Sequence, residues 1–128
     1  MSELDVLDTD VLIIGAGGAA LRAAIEADKK GVKVAIVSKG CFPSGCTLYA
    51  MGAMQAACDP RDSPATHFKD TIIGGRFINN QKLVEVMVNE ALERVLDLEK
   101  FGTKFQKEKG KYKLFPFGGC TYPRAVVS

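Results

Sequence analysis

Six residues near the start of the chain carry the clearest chemical signal. Gly15-Ala16-Gly17-Gly18-Ala19-Ala20 fits the spacing G-x-G-x-x-G/A, in which each small residue has its own task. The first glycine allows a tight turn, the second lets backbone approach a pyrophosphate, and the last small residue lets a helix pack on a strand. The chemistry implied is the holding of a dinucleotide, with free N–H groups and the positive end of a helix dipole facing its phosphates. An acid about 20 residues further on usually grips the adenosine ribose. Here Ser38 stands in that place, followed by Lys39. A hydroxyl still bonds a ribose and a lysine still meets a phosphate, while Ser38-Lys39 also reads as an ordinary exposed strand end.

The elements that must position this motif are legible on both sides of it. Val11-Leu12-Ile13-Ile14 is apolar and stops at Gly15, as a strand buried on both faces of a parallel sheet does. Residues 19–30 are rich in alanine and favour a helix with Gly31 as its stop. Residues 32–37 then read as a second buried strand, completing a βαβ unit. Residues 39–44 form a loop, and residues 46–57, small and apolar, suggest a short buried helix interrupted by Gly52. Ser63 caps and Pro64 opens a helix to about residue 73, within which His67, the sole histidine, packs or caps in preference to catalysing. Asn79 or Asn80 caps the longest helix, with Leu83, Val84, Met87, Val88, Ala91, Val95 and Leu98 as its core stripe and Gly102 as its end. Residues 104–106 and 111–115 look like a hairpin around Gly110, and residues 117–124 like loop. Arg124 reads either as an anion-binding group or as a solvated arginine near the end of the chain. The fold class is α/β: a partial Rossmann-like arrangement of one βαβ unit, helices and a small hairpin, with an incomplete sheet.

Composition excludes several functions. With 17 Lys plus Arg against 15 Asp plus Glu, the chain carries a formal charge of +2, far from the basic footprint of a nucleic-acid binder. Its longest apolar run, residues 11–21, is much shorter than the roughly 20 residues that cross a bilayer. The start, with Glu3, Asp5, Asp8 and Asp10, is acidic where a secretory signal is basic. A cytoplasmic location follows as the expectation, with membrane association only through a partner. Cys41, Cys46, Cys58 and Cys120 show no CxxC pairing, so free thiols are expected in preference to a metal or iron–sulfur site.

Longer stretches resemble a known family. Residues 11–24 (VLIIGAGGAALRAA), Ile36-Val37-Ser38-Lys39 and residues 46–53 (CTLYAMGA) are similar to the flavoprotein subunits of succinate dehydrogenase and fumarate reductase and to L-aspartate oxidase. The likeness continues through His67-Phe68-Lys69-Asp70-Thr71, Gly74-Gly75, Phe101-Gly102 and Phe117-Gly118-Gly119. In that family Ser-Lys replaces the ribose acid.

The resemblance implies FAD as cofactor. Its contacts would come from Gly15, Ala16, Gly17, Gly18 and Ala19, from Ser38, Lys39 and Gly40, and from Gly45, Cys46, Thr47, Leu48, Tyr49, Ala50, Met51, Gly52 and Ala53 beneath the flavin. Cys46 stands where respiratory members carry the histidine that bonds covalently to flavin, so the resemblance implies non-covalent FAD. Met51 replaces a Gln or Glu, Ala53 the second glycine of a pair, and Arg76 an Asp found in many relatives. Family members are several times longer, and their cap domain supplies the substrate-binding groups. Residues 1–128 therefore read as the N-terminal part of an FAD-binding domain, without catalytic residues of its own. Its expected partner is the downstream cap and flavin-domain portion, in cis or in trans; a further candidate is an iron–sulfur subunit. The competing readings are a non-catalytic FAD-binding or partner-binding module, and an NAD-linked domain, which Ser38 disfavours.

Overall fold

A computed structural model describes residues 6–50 and 52–128, in two compact units that divide after residue 51. In the first unit β1 (Val11–Ile14) runs parallel to β2 (Val34–Val37), and the helix α1 (Gly18–Asp28) connects them. The register pairs Val11 with Val34 and Ile14 with Val37. Apolar, β-branched residues make these strands. The helix between them begins where Gly17 adopts extended backbone, φ −86°, before the alanine-rich run. Burial on both faces of the strands is not observed: Leu12 is 57% and Ile14 84% exposed, and Val37 is exposed as well. Alternate side chains of a strand point to opposite faces. Within this unit α1 packs on one face only, so the other set stays open to solvent.

The second unit builds its core on two capped helices. The Ser63 hydroxyl accepts from Thr66 N at 3.1 Å and Pro64 opens α2 (Pro64–Gly74), both as the sequence predicts. Asn80, rather than Asn79, caps α3 (Gln81–Lys100) through Leu83 N at 3.3 Å. Thr103 N reaches back to Leu98 O and Gly102 N to Glu99 O, with Gly102 at φ +102°, so α3 ends in a glycine-dependent six-to-one closure. Val84 and Val88 pack with Ile72 and Phe68 of α2; Ala91 and Val95 pack with Ala56 and Val126. Each buried valine contributes roughly 1.5–3 kcal/mol. Leu83, Met87 and Leu98 leave the expected stripe and stay exposed, because only the 84, 88, 91, 95 ridge faces a partner.

Three corrections concern strands. Residues 46–57 are not a buried helix. They make an exposed 3₁₀ turn at Cys46–Tyr49, which Ala50 ends in extended backbone, and then β3 (Ala53–Gln55). Between α3 and the chain's last strand lie β4 (Lys107–Glu108), β5 (Lys111–Tyr112) and β6 (Leu114–Phe115). β7 (Ala125–Val127) is the middle strand of an antiparallel sheet ordered β3-β7-β6. The hairpin is therefore only β4 and β5, joined by Lys109 at φ 50° and Gly110 at φ 79°, the paired left-handed residues of a type I′ turn. Long-range pairing overrides local propensity here: Gln55 meets Ala125 and Phe115 meets Ala125 from the other side.

Arg124 is not solvated. Its side chain is fully buried, with Nε donating to Asp62 at 2.9 Å and Nη2 to Asp62 at 3.1 Å and Asp70 at 2.8 Å. Asp70 also accepts from Thr121 N at 2.7 Å and Thr121 Oγ1 at 2.8 Å. Burial works against the Asp70 carboxylate, but the Thr121 bonds and Arg124 outweigh it and hold its pKa below the ordinary 3.8. His67 is buried in the same region, as its packing role predicts. Desolvation first, and then the charge of Arg124, lower its pKa below 6.5 against the opposing pull of Asp62 and Asp70.

Removing one partner of such a buried pair strands the others. Arg124→Met is expected to cost about 3–5 kcal/mol of folding stability, read from urea unfolding. Because both folded-state pKa values are depressed, the unfolded chain takes up protons first as pH falls. The melting temperature should therefore decline as pH drops below 6.5 through His67 and again below 3.8 through Asp70. In His67→Gln the first decline should vanish and the second remain, a pattern that thermal melts taken from above pH 6.5 to below pH 3.8 would reveal.

Candidate dinucleotide site

The glycine turn leaves β1 at Gly15, whose φ of +115° suits a residue without Cβ, and whose N–H is bound to Val37 O at 2.7 Å. Ala16 follows and is buried. Gly17 then leads directly into α1. The first-turn N–H groups of Ala19 and Ala20 have no acceptor inside the helix and are available to an anion.

A second segment seats itself on this turn. Ser44 N donates to Ala16 O at 3.2 Å, and the Ser44 hydroxyl lies 2.6 Å from that of Ser38 at the end of β2. Gly45, at φ +94°, brings backbone against Gly17: a Cβ on Gly45 would lie 3.5 Å from Gly17 Cα. Thr47 Oγ1 accepts from Gly18 N at 3.0 Å, capping α1 from outside its own segment, since Gly17 offers no side chain to do so. A Cβ on Gly18 would meet this hydroxyl at 3.1 Å, whereas one on Gly17 would make only ordinary contacts at 3.8 Å or more. The backbone at Gly15 favours glycine, a Cβ at Gly18 would press on the Thr47 side chain, and one at Gly17 would make only ordinary contacts.

The structure thus joins Gly15, Ala16, Gly17, Gly18, Ser38, Gly45 and Thr47 in one constellation. Lys39 and Gly40 continue from β2 as exposed residues, as do Cys46, Leu48, Tyr49 and Ala50, while Ala19 lies in the first turn of α1. Met51 lies outside the described residues. Gly52 and Ala53 belong to the second unit, where Gly52 O accepts from Ser128 N at 2.8 Å and Ala53 pairs with Val127. Ser44 is the site residue that sequence reasoning missed. Its only signal is a small hydroxyl between Pro43 and Gly45, too common in loops to be singled out.

Residues 10–128 match the FAD binding domain family. The chain belongs to this family. An FAD-binding domain accounts for the glycine turn that leads into α1. Among its relatives is a component of the CoM/CoB fumarate reductase of Methanothermobacter marburgensis, 50% identical over 127 residues, covering 95% of this chain and 23% of the relative. The chloroplastic L-aspartate oxidase of Oryza sativa subsp. japonica is 38% identical over 120 residues, covering 93% of this chain and 18% of the relative. Among solved structures, the Mycobacterium smegmatis Sdh1 complex in the apo form superimposes with a TM-score of 0.86 at 45% identity, over 93% of this chain and 21% of the matched one. The chain therefore spans about a fifth of the length of the curated relatives it matches. Its fold is the corresponding partial Rossmann-like portion of such flavoproteins. Among the described residues no helix is long and apolar enough to cross a membrane.

The spare room at Gly17 separates ligand binding from folding. Gly17→Val should leave the melting temperature of the free chain within about 2 °C while abolishing FAD and ADP binding in titration calorimetry, because a branched side chain then fills the pyrophosphate's place. Thr47→Val should instead lower stability itself, by about 0.5–2 kcal/mol, through loss of the cap on α1.

Proposed function

We propose that this FAD-binding domain holds the cofactor without a covalent bond and serves as the nucleotide-binding part of a flavin-dependent oxidoreductase acting on dicarboxylates. The observation that carries the reading is the cradle at Gly17, free of any Cβ and placed at the start of α1 beside the uncapped N–H groups. The pyrophosphate would lie on Gly15, Ala16, Gly17, Gly18 and Ala19, and the adenosine half against Ser38, Lys39 and Gly40. Gly45 to Ala53, with Met51 among them, would run along the flavin. The donor set fits: backbone N–H groups and a helix dipole for phosphate, a hydroxyl for ribose and one lysine for charge.

FAD, when bound, supplies the hydride-exchanging ring; the protein's task is to bind and orient it. Ser44 holds Ser38 in position through the 2.6 Å contact between their hydroxyls, leaving the Ser38 oxygen a further lone pair for the ribose. Cys46 is exposed and stands where covalent members place histidine, which supports reversible FAD. Substrate positioning and proton delivery we assign to a downstream cap and flavin-domain portion, supplied in cis or in trans. Electron exchange with an iron–sulfur subunit, and association with a membrane through such a partner, belong to the same proposal. Its support is that relatives named as parts of fumarate reductase and succinate dehydrogenase are about five times longer than the segment they share with this chain.

Two outcomes test the proposal. Acid precipitation of the FAD-loaded protein should leave the yellow colour in the supernatant, and colour in the pellet would show a covalent bond. The chain with added FAD should not turn over succinate, fumarate or aspartate until the downstream portion is supplied. Turnover by the purified chain alone, proportional to its concentration and lost in Gly17→Val, would place the catalytic groups within these residues instead.

A further inference from the structure

Positive charge is concentrated on one part of the second unit. Between residues 99 and 113 stand Lys100, Lys104, Lys107, Lys109, Lys111 and Lys113 against Glu99 and Glu108, an excess greater than the +2 of the whole chain. All six lysines are exposed. Lys107 reaches Glu99 at 2.8 Å and Lys100 reaches Asp97 at 3.2 Å. Among the described residues, Lys104, Lys109, Lys111 and Lys113 have no carboxylate partner.

Lys107, Lys109 and Lys111 are carried on the β4–β5 hairpin, with Lys104 and Lys113 just before and after it, and the hairpin is fixed at its base. Glu99 receives the Tyr112 hydroxyl at 2.6 Å as well as Lys107, and the Lys107 ammonium lies 4.8 Å from the centre of the Tyr112 ring. Tyr112 also packs edge-on against Phe105 at 6.1 Å. Lys107 first, then Tyr112, hold the Glu99 carboxyl below its ordinary pKa, so this anchor stays charged at neutral pH. Between the hairpin and α3 lies an open groove of about 910 Å³. Its apolar side includes Leu92 and Leu96, one helical turn apart and 42% and 43% exposed, together with Leu114. Lys107, Lys109 and Lys111 stand on its other side.

We propose that this groove is a docking site for an acidic amphipathic segment of a partner protein, its apolar face on Leu92 and Leu96 and its carboxylates among the hairpin lysines. A polynucleotide matches the lysines but not the leucines. A lipid surface calls for apolar side chains that project, whereas Leu92 and Leu96 line a concavity. A helix with leucines at every third or fourth position and glutamates elsewhere satisfies both halves of the groove. The proposal is independent of FAD, since every residue it uses lies in the second unit.

The probe is a fluorescent synthetic peptide of about five helical turns built from leucine and glutamate in that pattern, titrated with the 128-residue chain and read by anisotropy. It should bind, weaken as salt rises, and bind at least about 10-fold more tightly than its glutamine-for-glutamate counterpart. Lys109→Asn combined with Lys111→Gln and Lys113→Gln should weaken it by a similar factor. Asn suits the left-handed turn better than Lys, so this variant tests charge without disturbing the hairpin. Leu96→Gln, which removes the apolar contact without adding charge, should weaken binding while circular dichroism shows the helix still folded. Absence of peptide binding, indifference to the lysine substitutions, or tighter binding of a single-stranded oligonucleotide or of phosphatidylserine vesicles would overturn the proposal.

Discussion

A guanidinium withdrawn wholly from water is tolerable only with counter-charges in place, and the organisation of the second unit follows from meeting that demand at Arg124. Asp62 lies just ahead of α2, Asp70 lies within it, and Arg124 immediately precedes β7. Their ion pairs therefore fix the strand to the helix. Because β7 is the middle strand, β3 and β6 are placed with it, and Val126 is carried into contact with Ala91 and Val95 of α3. Thr121, bound to the same Asp70, ties down the loop that carries Phe117-Gly118-Gly119. Among the described residues no group accepts from Arg124 Nη1.

The first unit relies on the opposite device, the absence of side chains. Gly17 and Gly45 approach closely enough that backbone meets backbone, and the loop reaching from Ser44 to Thr47 supplies the polar partners that the glycine turn lacks. Thr47 takes up one N–H of α1 and leaves others of the first turn for an anion. Gly15 adopts a left-handed backbone and Gly18 lies close against Thr47, whereas a Cβ on Gly17 would make only ordinary contacts.

The hairpin shows how one carboxylate organises a charged surface. Glu99 holds Lys107 and Tyr112 against α3, and burial followed by that hydrogen bond pushes the Tyr112 hydroxyl up to about 12. With the base of the hairpin neutralised in this way, the lysines beyond it keep their charge facing outward. A concentration of charge that would otherwise be a solvated face thereby acquires a defined shape beside exposed leucines.

The sequence by itself determined the features whose causes lie within a few residues. The turn from Gly15 to Gly18 between two apolar strands, the Ser63 and Pro64 start, an asparagine cap on α3 and the glycine stop at Gly102 were all legible, because hydrogen bonds three to five residues long decide them. The family, and FAD with it, were legible for the same reason: the motif is local and its order along the chain is kept. Tertiary structure alone decided that residues 53–55 form a strand and not a helix, that residues 125–127 become the centre of a sheet, and that Arg124 is buried between two aspartates. It also decided that Ser44 joins Ser38 and Ala16 beside the glycine turn and that Leu12 and Ile14 stay open within their unit. Each of these depends on partners brought together by the fold or on a face left without one, and no local pattern records which distant residue will be there.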